Sequence, residues 1–398
     1  MKKEMYIKAV LAAMALASGI ACEKEGSAEA SAPEDPVAGI VSLEGVARML
    51  SSLPMTGEHL NEVYGAVESS SGNGYDEEYT LKRLFNAPGT GVGDEEGSSR
   101  AAGGSCLRDL IADYLGAASR SSEGVVADAE RCIKAMTESD MQIYWPYSED
   151  WDGKTYPIVT YDPGYGSESN YGFLIGFDES GNRKVDSVLV NEAVAREHPV
   201  WVINRNDDSA FTPLAMLIRN APDAFGQPSL RSAAASVQNA SASRTLMIRT
   251  FEMKRNYDSW FGGASEFFIK CGTVKGFTAK TEAEMKLYSP SVTDMMIVVR
   301  RKDVGKPVPF DAVLLSGFTN QLDKLALLIT EDDGGTRTTW KCEATVKVNS
   351  KSYGFDLEIP FNEKDDIVWR GQLPASYFQS EDEVKGRFGD VVITFALE

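Results

Sequence analysis

Acidic side chains are the most numerous reactive groups in this chain, and three sets of them fall where strands are expected to end. These are Asp258, the run Glu331-Asp332-Asp333-Gly334-Gly335 and the run Glu363-Lys364-Asp365-Asp366. A hard cation such as Ca²⁺ takes six to eight oxygen ligands at about 2.3–2.6 Å. Loops gathered at one end of a sheet could build such a shell from Asp258, Glu331, Asp332, Asp333, Asp365 and Asp366; the alternative is that these are ordinary solvated loop acids. Two carboxyl groups roughly 5–9.5 Å apart would also suffice for glycoside cleavage, a distance that sequence spacing does not set. The stretch Ser148 to Gly153 imitates the start of a calcium-binding helix-loop-helix. Ser148 stands where an aspartate belongs, and Val159, in the twelfth position, cannot supply the bidentate carboxylate, so the stretch is expected to be an acidic turn.

Aromatic density is the second chemical feature. Tyr144, Trp145, Tyr147, Trp151, Tyr156, Tyr161, Tyr165 and Tyr171 lie within one short segment interspersed with Pro146, Pro157 and Pro163. Flat apolar faces with polar edges suit stacking on a sugar ring or a protein surface, and Trp145, Tyr147 and Trp151 are the candidates for that role; the same residues could instead plug a core. Other chemistries lack their residues. The two histidines, His59 and His198, form no zinc-binding His-Glu-x-x-His, and neither Gly-x-Ser-x-Gly nor Cys-x-x-Cys occurs. Gly89-Thr-Gly-Val-Gly93 neither follows a strand nor carries the lysine and hydroxyl of a phosphate loop, and reads as a spacer.

The formal charge of −19 repels nucleic acid and anionic membrane surfaces, which excludes nucleic-acid partners and favours cation binding. At the amino terminus Lys2, Lys3 and Lys8 precede the apolar run Ala9 to Leu16 and then Gly19-Ile20-Ala21-Cys22. This segment resembles a bacterial lipoprotein signal, with residues 1–21 removed and Cys22 lipidated as the first mature residue. Gly19 departs from the large aliphatic residue usual three positions before that cysteine. The acids of Glu23-Lys24-Glu25 resemble the surface-export signals of Bacteroidota lipoproteins. Tyr144 to Gly153, with His198-Pro-Val-Trp-Val-Ile-Asn204, is similar to exported proteins of that phylum, a resemblance that implies compartment and no activity. The resemblance implies a protein lipid-anchored to the outer membrane of a bacterial cell envelope, with surface exposure as a further expectation. The apolar run is too short to span a bilayer of about 30 Å, so the acyl chains are the expected link to the membrane. An exported chain can form disulfides. Of the four remaining cysteines, Cys106 with Cys132 and Cys271 with Cys342 are the economical pairs, against the alternative that all four are buried thiols.

The hydrophobic pattern predicts an α+β chain. After the leader (1–21) and a small, polar tether (22–40), residues 41–140 carry three-to-four apolar spacing, as in Leu43, Val46, Leu50 and Leu53 behind a Ser42 cap. The glycine-rich stretch 87–104 interrupts it. Residues 141–204 form a small mixed β-rich region, with a hairpin across Phe177 to Asn182; residues 205–244 lose periodicity and read as a linker. From 245 to 398, runs such as Trp340 to Val348 and Tyr353 to Phe361 alternate strictly and predict an antiparallel β-sandwich, with a tight turn at Asn349-Ser350-Lys351. The expectation is a non-enzymatic binding or structural module for a glycan or protein ligand. The alternatives are a glycan-directed, carboxylate-dependent hydrolase and a pilin-like subunit that uses an exposed sheet edge.

Overall fold

The computed structural model describes residues 36–86, 105–121, 129–178, 180, 182–206 and 243–398. Cys22, the tether up to residue 35, the whole 87–104 stretch and linker residues 207–242 lie outside the described residues. The chain divides into two compact units, Met1–Ser70 with Glu77–Asn206, and Ser71–Asp76 with Asp207–Glu398.

In the first unit the helices are α1 (Pro36–Ile40), α2 (Leu43–Ser52), α3 (Gly57–Gly72, whose last residues belong to the second unit), α4 (Leu81–Asn86), α5 (Cys106–Ser121), α6 (Ala129–Glu138) and α7 (Glu192–Ala195). Its strands are β1 (Glu78–Thr80), β2 (Met141–Tyr144), β3 (Ile158–Tyr161), β4 (Ser169–Phe177), β5 (Arg183–Asn191) and β6 (Val200–Arg205), which make one sheet in the order β1-β2-β6-β3-β4-β5. Ser42 caps α2 as its position implies, its Oγ accepting from Gly45 N at 3.0 Å. The apolar stripe of α2 (Val46, Met49, Leu50, Leu53) packs with Ile143, Trp145, Val159, Trp201 and Ile203 of the sheet and its border.

Several boundaries differ from the sequence reading: Pro36–Ile40, read as the end of the tether, forms α1, and Arg244, read as the end of the linker, begins the next strand. The helical stretch 41–140 and the β-rich stretch 141–204 share a single core, because β1 lies inside the first and pairs with β2 of the second. Three residues are too few for a strand signal to emerge from helical periodicity. Arg205, placed in the linker by the sequence reading, ends β6 opposite Met141.

The second unit is the antiparallel sandwich. Its strands are β7 (Arg244–Met253), β8 (Ser265–Thr273), β9 (Ser291–Val299), β10 (Val308–Phe318), β11 (Leu322–Glu331), β12 (Arg337–Val348), β13 (Lys351–Asn362), β14 (Asp366–Pro374), β15 (Glu383–Phe388) and β16 (Val391–Leu397), with the short helix α8 (Glu282–Met285) between β8 and β9. One sheet runs β10-β7-β16-β15 and the other β13-β12-β11-β8-β9, with β14 also on β11. Phe251, Ile269, Leu327, Ile329, Val346, Ile359, Ile393 and Phe395 fill one core with inward residues from both sheets. The β12–β13 hairpin turns on Asn349 and Ser350, both left-handed (φ 49° and 69°). Val348 pairs Lys351, so Lys351 already belongs to the strand. Gly272 of β8 leaves room for Leu357 of β13: a Cβ there would meet Leu357 Cδ1 at 2.6 Å.

Candidate metal centre

Three loops reach the same end of the sandwich because of strand register. Glu331 is the last residue of β11 and pairs with Phe267 near the start of β8 and with Asp366, the first residue of β14. Asp258 lies in the connection from β7 into β8, Asp333 follows β11, and Asp365 ends the turn before β14. Carboxylate oxygens of Asp258, Glu331 and Asp333 all lie within 4.8 Å of one another. Opposite ligands of a Ca²⁺ stand about 4.6–5.2 Å apart, twice the Ca–O distance, so such a triad fits around one ion.

The environment of Glu331 is unusual for a carboxyl group. Its side chain is 1% exposed, and among the described residues neither oxygen meets an amide, hydroxyl or cationic donor at hydrogen-bonding geometry. Its close polar neighbour is the carboxyl of Asp258, whose Oδ2 likewise has no such donor. Burial, then a hydrogen bond with the Asp258 carboxyl, then the Asp258 and Asp333 charges push Glu331 far above the usual carboxylate range. Burial also raises Asp258, with Asp333 and Asp76 adding to the rise, while the hydrogen bond from Glu331 and then the buried Arg301, whose Nη1 donates to Asp258 O at 3.1 Å, offset part of it. Without a cation, this pair therefore carries a proton. Asp333 is exposed and opens the triad to solvent; burial and the Asp366 and Asp332 charges raise it too.

The remaining acids of the predicted set do other work. Asp332 and Asp365 form a neighbouring buried pair facing the loop backbone. Asp332 Oδ1 accepts from Gly334 N and Asn362 Nδ2, both at 3.1 Å, and Asp365 Oδ2 accepts from Asn362 N at 2.9 Å. Burial, and after it the Asp332 carboxyl, push Asp365 up to about 6. Asp366 is exposed and adds negative charge beside Asp333. Sequence reasoning missed Asp76, which accepts from Ala264 N at 2.8 Å and adds its charge to the field at Asp258. It stands more than 180 residues from Asp258, at the end of helix-patterned sequence, where no local signal links it to the cluster.

Two other expectations are corrected. Trp145 is fully buried, in edge contact with Tyr64, Trp151 and Trp201 at 5.1–5.9 Å between ring centres, and cannot stack on an external ligand. Trp151 is half-buried, with Nε1 donating to Thr155 O at 2.9 Å. Tyr147 donates its hydroxyl to Glu192 at 2.8 Å and lies under the Arg196 guanidinium. Tyr144 and Trp145 fill the core, whereas Tyr165 and Tyr171 of the same segment are exposed. The four cysteines are thiols and the two predicted disulfides are absent. Cys106 Sγ donates to Glu62 Oε2 at 2.9 Å, and Cys132 is buried in the helical core. Cys271 alternates with Gly272 along β8. Since Gly272 faces Leu357, the residue paired with Cys342, Cys271 points away from Cys342.

Comparison of the chain with family models, with curated proteins and with solved structures gives no match.

Proposed function

We propose that this chain is a lipid-anchored protein of the bacterial cell envelope, and that its C-terminal sandwich is a non-enzymatic binding module organised by a hard divalent cation, with Ca²⁺ the ion of best fit. The observation that carries the cation reading is Glu331: a carboxyl group 1% exposed, with no amide, hydroxyl or cationic donor at either oxygen among the described residues, beside two further carboxylates. A buried anion is costly unless it is paired or coordinates a metal. Waters entering past exposed Asp333 would complete the six to eight ligands that Ca²⁺ takes. A hydrolase is less well supported, because Glu331 is closed to a substrate and the acid oxygens lie closer together than the separation of about 5 Å or more that glycoside cleavage requires. The leader supports the anchoring reading, and among the described residues no helix is long and apolar enough to cross a membrane.

The test of the cation is thermal melting of the chelated protein with added CaCl₂ or MgCl₂. Ca²⁺ at a hundredfold over its Kd should add about 2.7 kcal/mol of stability, and Mg²⁺, which demands a tighter octahedron, should add less. A melting curve unmoved by Ca²⁺ would remove the reading. For the anchor, Cys22→Ser should release the chain from the membrane fraction, and a variant still sedimenting with membranes would refute it.

A further inference from the structure

The chain leaves the first unit after Ser70 and returns to it at Glu77, and the strap between them, Ser71–Asp76, packs as part of the second unit. Helix α3 runs out inside this strap. Gly72 is its last residue, and Gly74, whose N donates to Ser71 O at 3.1 Å, takes the left-handed backbone (φ 87°) that turns the chain away. Both ends of the strap are held by segments that also hold Asp258. At its start Arg300 Nη2 reaches Ser71 O at 3.5 Å, and the next residue, Arg301, donates to Asp258 O at 3.1 Å. At its end Asp76, 2% exposed, accepts from Ala264 N at 2.8 Å, and Ala264 closes the same β7–β8 connection that carries Asp258. The strap thus brings a buried carboxyl group to the loop that supplies one member of the acid triad.

We propose that the strap is a cation-controlled latch: a divalent cation bound at Asp258, Glu331 and Asp333 tightens the docking of Ser71–Asp76, and loss of the cation loosens it. This rests on the cation reading above, whose own support is the buried Glu331 with no amide, hydroxyl or cationic donor among the described residues. The physical reason is the sign of the field at Asp76. In the empty site its charge works against that of Asp258, whose carboxyl it raises, so docking the strap adds like charge to an acidic loop. A divalent cation amid the triad turns the same buried carboxylate from repelled to attracted, and burial lessens the screening of that change. The bond from Ala264 N fixes where Asp76 sits, so the cation alters how firmly the strap docks and not its place. Asp76 lies outside the set of oxygens within 4.8 Å of one another and acts through its charge, as a positioning residue. Linkage makes the effect reciprocal: the factor by which the cation favours the docked strap is the factor by which the docked strap favours the cation.

That reciprocity gives the test. In the full chain, hydrogen exchange at the amides of Tyr75, Asp76 and Ala264 should slow by about fivefold or more between chelator and saturating CaCl₂. The amides of the Asn349–Ser350 turn, at the opposite end of β12, should keep their rates. Asp76→Asn retains an oxygen for Ala264 N and removes the charge. In calorimetric titration with CaCl₂ it should bind Ca²⁺ about fivefold or more weakly than the unaltered chain, and its strap exchange should no longer respond to the ion. Asp382→Asn removes an equal charge just before β15, at the end of that sheet away from Met253 and the Asp258 loop, and should leave the affinity unchanged. A merely structural Asp76 would change stability and leave the affinity alone. Ca²⁺ binding with strap exchange unmoved, Asp76→Asn binding Ca²⁺ as tightly as the unaltered chain, or equal weakening by Asp382→Asn would overturn the latch and leave the cation reading standing. Calorimetry that detects no Ca²⁺ binding to the unaltered chain would overturn both.

Discussion

Each unit buries a glutamate next to a β-strand terminus, and the two are treated in opposite ways. In the first unit Glu78, 7% exposed, receives Gln142 Nε2 on one oxygen and Asn206 Nδ2 at 3.2 Å on the other. The adjacent Glu77 accepts from Tyr147 N at 3.0 Å. In the second unit Glu331 is at least as deeply buried and faces other acids. Burial alone therefore does not mark a site in this protein. The distinction is the supply of donors: amide groups make the Glu78 cluster a finished piece of structure, whereas the Glu331 cluster is balanced only by protons or a cation.

The largest effect that separates the two clusters is expected from Glu331→Gln. The amide donates to Asp258 as the protonated carboxyl does, without the cost of taking up a proton from neutral solution, so the metal-free protein should gain roughly 1–3 kcal/mol at neutral pH, and its melting temperature should no longer respond to Ca²⁺. A variant that is destabilised and still responds to Ca²⁺ would erase the contrast. Glu78→Ala should act in the opposite sense, since it takes the acceptor from Gln142 Nε2 and one of the acceptors from Asn206 Nδ2, which keeps Gln142 Oε1 at 2.9 Å, with a loss of about 1–3 kcal/mol and an unchanged Ca²⁺ response. An equal loss of the Ca²⁺ response in this variant would show that the measured ion binds elsewhere.

A smaller effect is expected from pH. Asp258 and Asp365 are each raised to about 6, and Glu331 is raised further. The native state therefore binds more protons than the unfolded chain above the ordinary carboxylate range near 4. The stability this contributes is fully present below the unfolded pKa and is lost as pH rises through the folded value. In chelator the melting temperature should fall between about pH 4 and 7, and saturating Ca²⁺ should flatten the fall by taking the protons' place. A chelated protein whose stability rises over that window would mean that the acids are solvated.

Much of the sandwich was legible in sequence because strand alternation is local. Trp340 to Val348 and Tyr353 to Phe361 are the two arms of the β12–β13 hairpin, and Val391 to Leu397 is β16. Ser42 as a cap was equally readable, since its partner Gly45 is three residues away. The acid set was legible as a list of residues near strand ends. What divides it is register: β11, β8 and β14 bring Glu331 to Asp258 and Asp333, while Asp332 and Asp365 turn to Asn362. The aromatic segment and the cysteines each left two readings open in sequence for the same reason. Residue type states what a side chain could do, and facing direction states what it does.

By itself the sequence determined the α+β class, the antiparallel carboxyl-terminal half, the strongly negative charge and the lack of familiar hydrolase motifs, because composition and short periodicities are properties of neighbours in the chain. Tertiary structure alone decided that the helical and β-rich stretches share one core, that Asp76 joins the field around Asp258, and that, among the described residues, Glu331 meets no amide or cationic donor and β5 ends its sheet. These are long-range outcomes of packing. The closure of distant segments onto one another sets them, and no window of sequence contains both sides of such a contact.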